Sequence, residues 1–434
     1  MTRFDFSRRQ ALAGAAGLGL TIELMARGAW AQERGGGRKL VVIICRGGLD
    51  GLSLSPPVGD PDYAALRGPI AIAPFGAPNG ALQLDSTFGL HPALANVHAL
   101  ARQGQARIAP AVATPDRERS HFEAQDVLES GASRVYSLSS GWLNRAVGAM
   151  GPGVKAISVG PTGPLILRGK IEAASWSPGG MAERDHRLPM ILQDLYAHDP
   201  LLGPALAQGM ATQGMAKTAM ADAAQVEQQF AAQDAMAASS APDGQAMAAG
   251  QPPATPAQGA RQGLDQSRKI GATLAGFMVQ PGGSQVAAVQ IDNFDTHANQ
   301  GAGQGQLANR LAYVDAFVDG LHAGLGDDWR RTVVVMATEF GRTARVNGTG
   351  GTDHGTASTA LVMGGALRPG GIIGDWPTLQ QARLFENRDT APTLDMRSLF
   401  KGVLRDHLGI EPAALDRAVF PESQAAAPLG GVVV

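Results

Sequence analysis

The sequence predicts an α/β protein with a doubly wound, mostly parallel sheet flanked by helices. Three observations predict it. Several short apolar runs lack polar alternation, as strands buried on both faces do. Helical patterns lie between many of these runs, the rhythm of a parallel βαβ sheet. Acids and histidines collect beside the ends of the runs, and ligands of open parallel sheets bind beyond the carboxyl ends of the strands.

In chain order, residues 1–31 are read as a twin-arginine export signal. Arg8 and Arg9 precede a moderately apolar, Gly/Ala-rich stretch, and Ala29-Trp30-Ala31 supplies a small-x-small cleavage pattern ahead of Gln32. A retained signal anchor is the alternative. No later segment holds the eighteen or more uninterrupted apolar residues of a membrane span. The mature chain is therefore expected to be periplasmic or secreted, with the twin-arginine export machinery as a partner. That pathway carries folded proteins, often with a metal or cofactor already inserted, which raises the expectation of a metal site.

The first strand is KLVVIICRGG at 39–48, ending in a Gly pair. Four similar runs follow: ARIAPAVA at 106–113, QVAAVQI at 285–291, TVVVMAT at 332–338 and STALVMGG at 358–365. Helices are expected at 92–103, 120–129, 141–150, 307–325 and 393–408. The stretch 205–260 differs, being rich in Ala, Met, Gln and Gly. It reads as an Ala-rich helix followed by a linker near 238–258. Its methionines, Met210, Met215, Met220, Met236 and Met247, are irregularly spaced and fit helix packing better than metal ligation. Residues 32–434 are expected to form one domain carrying this insertion.

The single cysteine, Cys45, lies within the first apolar run, which excludes an internal disulfide and predicts a buried, inert thiol. With 36 basic and 38 acidic residues, the net charge of −2 gives no polybasic surface. No nucleic-acid partner is expected.

The polar residues at the strand ends are the candidate site. Asp50 follows the first strand, and Asp292, Asp295 and His297 follow the third. Glu339 and Arg342 follow the fourth, Asp353 and His354 precede the fifth, and Ser120 and His121 come after the second. Each has an ordinary structural reading. Asp50 also suits a helix cap or a Gly turn. Ser120 with Glu123 also fits a capping box, and His121 an ordinary loop position. Asp295 and His297 are spaced so that one loop can aim both at an ion, though Asp-Thr turns are common. Glu339, at the end of a buried strand, needs a cation or a donor, and Arg342 is a candidate for that cation. Together, oxygen and nitrogen donors without thiolate suit one or two Zn²⁺, Mn²⁺ or Mg²⁺ ions.

These motifs carry a resemblance. RGGLDG, FGLHPAL, RSHFEAQDVLESG, GWLNRA, DTHANQ, TEFGRT, GGTDHG and GDWP, in that order over residues 38–420, resemble the exported bacterial family known as domain of unknown function 1501. The family has no established activity. More distantly, the motif order is similar to the alkaline phosphatase and sulfatase superfamily, which implies an alkaline-phosphatase-like fold with a metal site at the sheet's carboxyl end. By that resemblance Asp50 matches the first-strand metal aspartate, and Asp295 or Asp292 with His297 looks like the middle Asp/His pair. Glu339 stands where the superfamily has an acid followed by histidine, and His354 matches its late histidine. Two departures stand out. No Asp-Ser/Thr motif surrounds Ser120, and Cys45 lacks the C/S-x-P-x-R setting of a sulfatase nucleophile.

The expectation is a metal-dependent hydrolase of a phosphate or sulfate ester, or a related small anionic substrate. Asp50, Asp295, His297, Glu339, Asp353 and His354 would hold metal. Ser120 would be the nucleophile, or His121 would orient water, and Arg342 would steady the anion. The alternative is a non-catalytic exported binding or assembly protein on the same fold.

Overall fold

A computed structural model describes residues 37–160, 163–177 and 256–434. The export signal, most of the 205–260 insertion and all five methionines named in it lie outside the described residues. Ten strands are described: β1 Lys39–Cys45, β2 Leu82–Gln83, β3 Gly89–Leu90, β4 Ala106–Ala113, β5 Ala156–Val159, β6 Ala173–Trp176, β7 Val286–Ile291, β8 Thr332–Ala337, β9 Ser358–Met363 and β10 Leu394–Asp395. Eight of them form one sheet in the order β10-β4-β9-β8-β1-β7-β5-β6, and β2 and β3 form a separate antiparallel pair. In the large sheet only β9 runs against its neighbours; β1 pairs in parallel with both β7 and β8. The mostly parallel α/β sheet is as the sequence predicts.

The continuous apolar runs have the expected cause. Successive side chains of a strand point to opposite faces, and both faces here are covered. Val41, Ile43 and Cys45 join one core with Leu274 and Phe277 of α5 (Pro256–Val279) and Leu311, Val314 and Phe317 of α6 (Gln306–Leu325). Leu40, Val42 and Ile44 join the other, with Leu128 of α3 (His121–Ser130), Leu143 and Val147 of α4 (Trp142–Met150), and Leu399 and Val403 of α7 (Met396–Leu408). The remaining labelled helices are the short α1 (Gly51–Leu54) and α2 (Ala95–Arg102). Cys45 is buried and free, and burial pushes its thiol well above the ordinary value. Among the described residues, no helix is long and apolar enough to cross a membrane.

Two differences from the sequence reading, and an irregularity in one strand that it anticipates, have local reasons. The last helix begins at Met396 rather than 393, because Leu394 and Asp395 pair with β4 and the Asp395 side chain then accepts the Arg397 N–H. The strand 106–113 tolerates Pro110 because its register with β9 shifts between Ala109 and Val112, with Ala111 in left-handed backbone. Strands β5 and β6 and helix α5 were not anticipated. The two strands have four residues each, too short for a periodic signal, and α5 starts inside the compositionally biased stretch.

The direction of β9 is what assembles the site. Its neighbours end at the carboxyl edge, whereas β9 starts there, so the GTDHG loop before it meets the loops after β1, β7 and β8. Pairing of Arg342 with His354, with the Thr343 N–H donating to Asp353 O at 3.0 Å, locks the TEFGR and GTDHG loops together. Gly341 is required for this approach, since a Cβ there would lie 1.8 Å from the Ala357 carbonyl oxygen.

Candidate metal centre

Three histidines from three segments converge on Asp295. His121 opens α3, His297 lies in the loop after β7, and His354 lies in the loop before β9. One ligand atom each of His121, Asp295 and His354 fall within 4.8 Å of one another. His297 Nε2 lies 3.0 Å from Asp295 Oδ1 and 3.0 Å from His354 Nε2, and His354 Nε2 lies 3.3 Å from Asp295 Oδ1.

The other nitrogen of each ring is placed against an oxygen. His121 Nδ1 donates to Glu339 Oε1 at 2.9 Å, and His354 Nδ1 donates to the Arg119 carbonyl at 3.0 Å. His297 Nδ1 stands 3.5 Å from Asp353 Oδ1. A carbonyl can only accept, so His354 carries its proton on Nδ1, and in the neutral ring Nε2 has a free lone pair. The same reasoning at Glu339 leaves His121 Nε2 as the lone-pair nitrogen. That atom is buried without a hydrogen-bond partner, 3.5 Å from Asp295 Oδ2. Burial, with the nearby charges of Arg342 and His121, lowers the His354 pKa and favours this neutral form. The hydrogen bond to Glu339 is the main cause of a raised pKa at His121.

Both acids are held in place by neighbouring donors. Glu339 is fully buried, and burial alone would push its carboxyl up. The hydrogen bonds from His121, from the Gly47 N–H at 2.8 Å and from the Thr338 hydroxyl at 2.8 Å outweigh that and keep it low. Gly47 adopts φ 112, and a Cβ there would lie 2.6 Å from the Asp295 amide nitrogen. Arg342 is also buried. It donates to the carbonyls of Gly48 at 2.6 Å and Thr352 at 2.9 Å, and to Asp295 Oδ1. Burial pushes Asp295 up, but the Arg342 hydrogen bond and charge, with His297 and His121, hold it below the ordinary range.

The sequence candidates divide accordingly. Asp295, His297, His354 and His121 come together. Glu339 and Asp353 stand one shell further out, each against a histidine. Asp353 is exposed, and its carboxyl is lowered first by the Asn347 amide, which donates at 3.1 Å. Arg342 does not partner Glu339, and its bonds to Asp295 and the carbonyls leave it a positioning role in place of the anion contact expected from sequence. Asp292 is exposed and outside the cluster. Ser120 is the N-cap residue of α3, yet its side chain makes no capping hydrogen bond, contrary to the capping-box reading.

Asp50 belongs to another network. Its Oδ1 accepts the Leu52 N–H at 3.1 Å, and its Oδ2 accepts from Ser53 at 3.0 Å, from Gln300 at 2.6 Å and from the buried Arg67. The cap alternative describes it. Sequence reading missed Arg67, Gln300, Arg119, Asn347 and Gln125. Only Gln125 left a signal: four residues after His121, it falls on the same helix face, and its amide lies 3.3 Å from Glu339 Oε1.

Fold and site together define a class: a mostly parallel α/β protein with a three-histidine, one-aspartate cluster at the carboxyl edge of its sheet. The chain belongs to the family described as protein of unknown function (DUF1501), whose family model matches residues 37–419. No curated protein and no solved structure matches it.

Proposed function

We propose that the protein is a periplasmic metal-dependent hydrolase of a phosphate or sulfate ester, or a related anionic substrate, on an alkaline-phosphatase-like sheet. One observation carries the reading: imidazole nitrogens whose rings are fixed from behind by oxygens converge on a single carboxylate. Metal-ligating histidines are oriented in this way. The buried, unpartnered Nε2 of His121 fits a ligand atom. The donor set supports one ion rather than two, and three imidazoles with one carboxylate suit zinc better than magnesium.

His121, Asp295, His297 and His354 would hold the ion. A divalent ion bound there would polarise an ester oxygen and acidify a water molecule. Glu339 keeps His121 in the required tautomer, and the Arg119 carbonyl does the same for His354. Arg342 fixes the Asp295 carboxylate. Ser120, with its hydroxyl unused by the helix, is the candidate nucleophile at the N-terminus of α3, where backbone N–H groups favour an anion. Elemental analysis of the mature chain, purified without chelator or histidine tag, tests the proposal. About one equivalent of metal, lost in His354→Ala, is expected. Metal in neither protein would sink it.

A second reading, an exported binding or assembly protein, draws on Phe122 in the site helix and Tyr136 just after it, which are 80% and 66% exposed. Its test is recovery of a stoichiometric periplasmic partner that Phe122→Ser releases.

A further inference from the structure

Next to the cluster, the carboxyl edge opens into a trough between α5, α6 and the loop after β7. Two cavities of about 680 and 440 Å³ share Asn293, Arg310 and Tyr313 as walls. Asp295 borders the larger, while Gln290 and Asp292 border the smaller. The trough therefore begins at the carboxylate on which the histidines converge. Each volume lies in the range of small-molecule sites.

The chemistry of the walls is specific. Arg310 is exposed and makes no ion pair or hydrogen bond among the described residues. Gln290 Nε2 is buried without a hydrogen-bond partner. It sits on a strand otherwise apolar from Val286 to Ile291, where an unpaired amide donor is costly. Asn293 holds left-handed backbone at φ 74, and Asp292 is exposed beside it. Amides, a carboxylate and a guanidinium around a tyrosine ring both donate to and accept from hydroxyl groups, and the ring offers an apolar face.

We infer that this trough binds the hydroxyl-rich, carbohydrate-like body of the substrate while its ester group faces Asp295. The inference rests on the hydrolase reading and adds the substrate class. Gln290 and Asn293 bond hydroxyls along the floor, Arg310 spans the two cavities, and Tyr313 packs on the ring.

The test is calorimetric binding of hexose 6-phosphate, hexose 6-sulfate and 4-nitrophenyl phosphate, which has no hydroxyl-rich body. The probes are titrated into the wild type, Arg310→Met, Gln290→Leu and His354→Ala, with metal content measured in each. At least one hexose ester is expected to bind the wild type about tenfold or more tightly than 4-nitrophenyl phosphate. That preference should fall to about threefold or less in Arg310→Met and Gln290→Leu with metal content unchanged, and persist in His354→Ala. Gln290→Leu removes an unpaired donor, so its melting temperature should not fall, and it remains informative if Arg310→Met misfolds. Equal binding of all probes, no binding of either hexose ester, or a preference untouched in both trough variants overturns the inference. Metal retained alongside such a result would leave the hydrolase reading standing. Trough-dependent hexose-ester binding to a metal-free wild type would instead support the trough and remove the hydrolase.

Discussion

Asp50 and Asp295 both follow apolar strands of the same sheet, and the structure treats them oppositely. Asp50 is closed: four protein groups, including the buried Arg67, occupy its oxygens. Asp295 is open: Arg342 anchors one oxygen, and the lone-pair Nε2 atoms of His121 and His354 lie 3.5 and 3.3 Å from the carboxylate, with His297 Nε2 at 3.0 Å. An acid after a strand is thus a weak sign of function. What distinguishes the two is whether protein donors saturate the acid or leave part of it facing imidazole nitrogens.

The sharpest way to break this comparison is to remove the closed acid. Asp50→Ala strands a buried guanidinium and should cost about 3–5 kcal/mol of stability by urea denaturation. Metal content per folded chain should not change. Loss of metal with full stability would put Asp50 back among the ligands.

Histidines allow the same contrast by pH. His407, outside the cluster, is buried with Nε2 donating to the Lys39 carbonyl at 2.9 Å, and burial pushes its pKa down from 6.5 to about 4. Between those values the unfolded chain binds the extra proton. Its contribution is therefore complete above about pH 6.5 and is lost as pH falls toward 4, by up to about 3 kcal/mol. His407→Gln should flatten that part of the melting-temperature profile. An unchanged slope would assign the acid sensitivity elsewhere.

Smaller effects probe the supports of the open acid. Glu339→Gln keeps an acceptor for His121 but removes the charge, and metal affinity should weaken about 10–100-fold with the fold retained. Competition with a chromogenic chelator measures this. Asp353→Asn, at an exposed position, should change stability by less than about 0.5 kcal/mol and metal affinity only modestly. A loss as large as that of Glu339→Gln would make Asp353 a direct ligand.

Most of the sheet was legible in the sequence because strands buried on both faces must be apolar throughout. KLVVIIC and TVVVMA could scarcely be anything else. The four-residue β5 and β6 gave no such pattern, and their place beside β7 is a long-range choice. Within the site, Asp295, His297, His354 and His121 were legible as residue types beside strand ends. Arg342 was legible as important but not in its role, because a cation's partners are set by which carbonyls surround it.

The sequence by itself determined the α/β class, the buried Cys45 and the set of polar residues available at the carboxyl edge. These depend on local pattern and on the cost of burying polar groups. Tertiary structure alone decided that β9 runs antiparallel, that Asp50 belongs to Arg67 and that three imidazoles share Asp295. Each of those depends on contacts between residues tens to hundreds of positions apart, and no local pattern encodes which distant partner reaches a given side chain first.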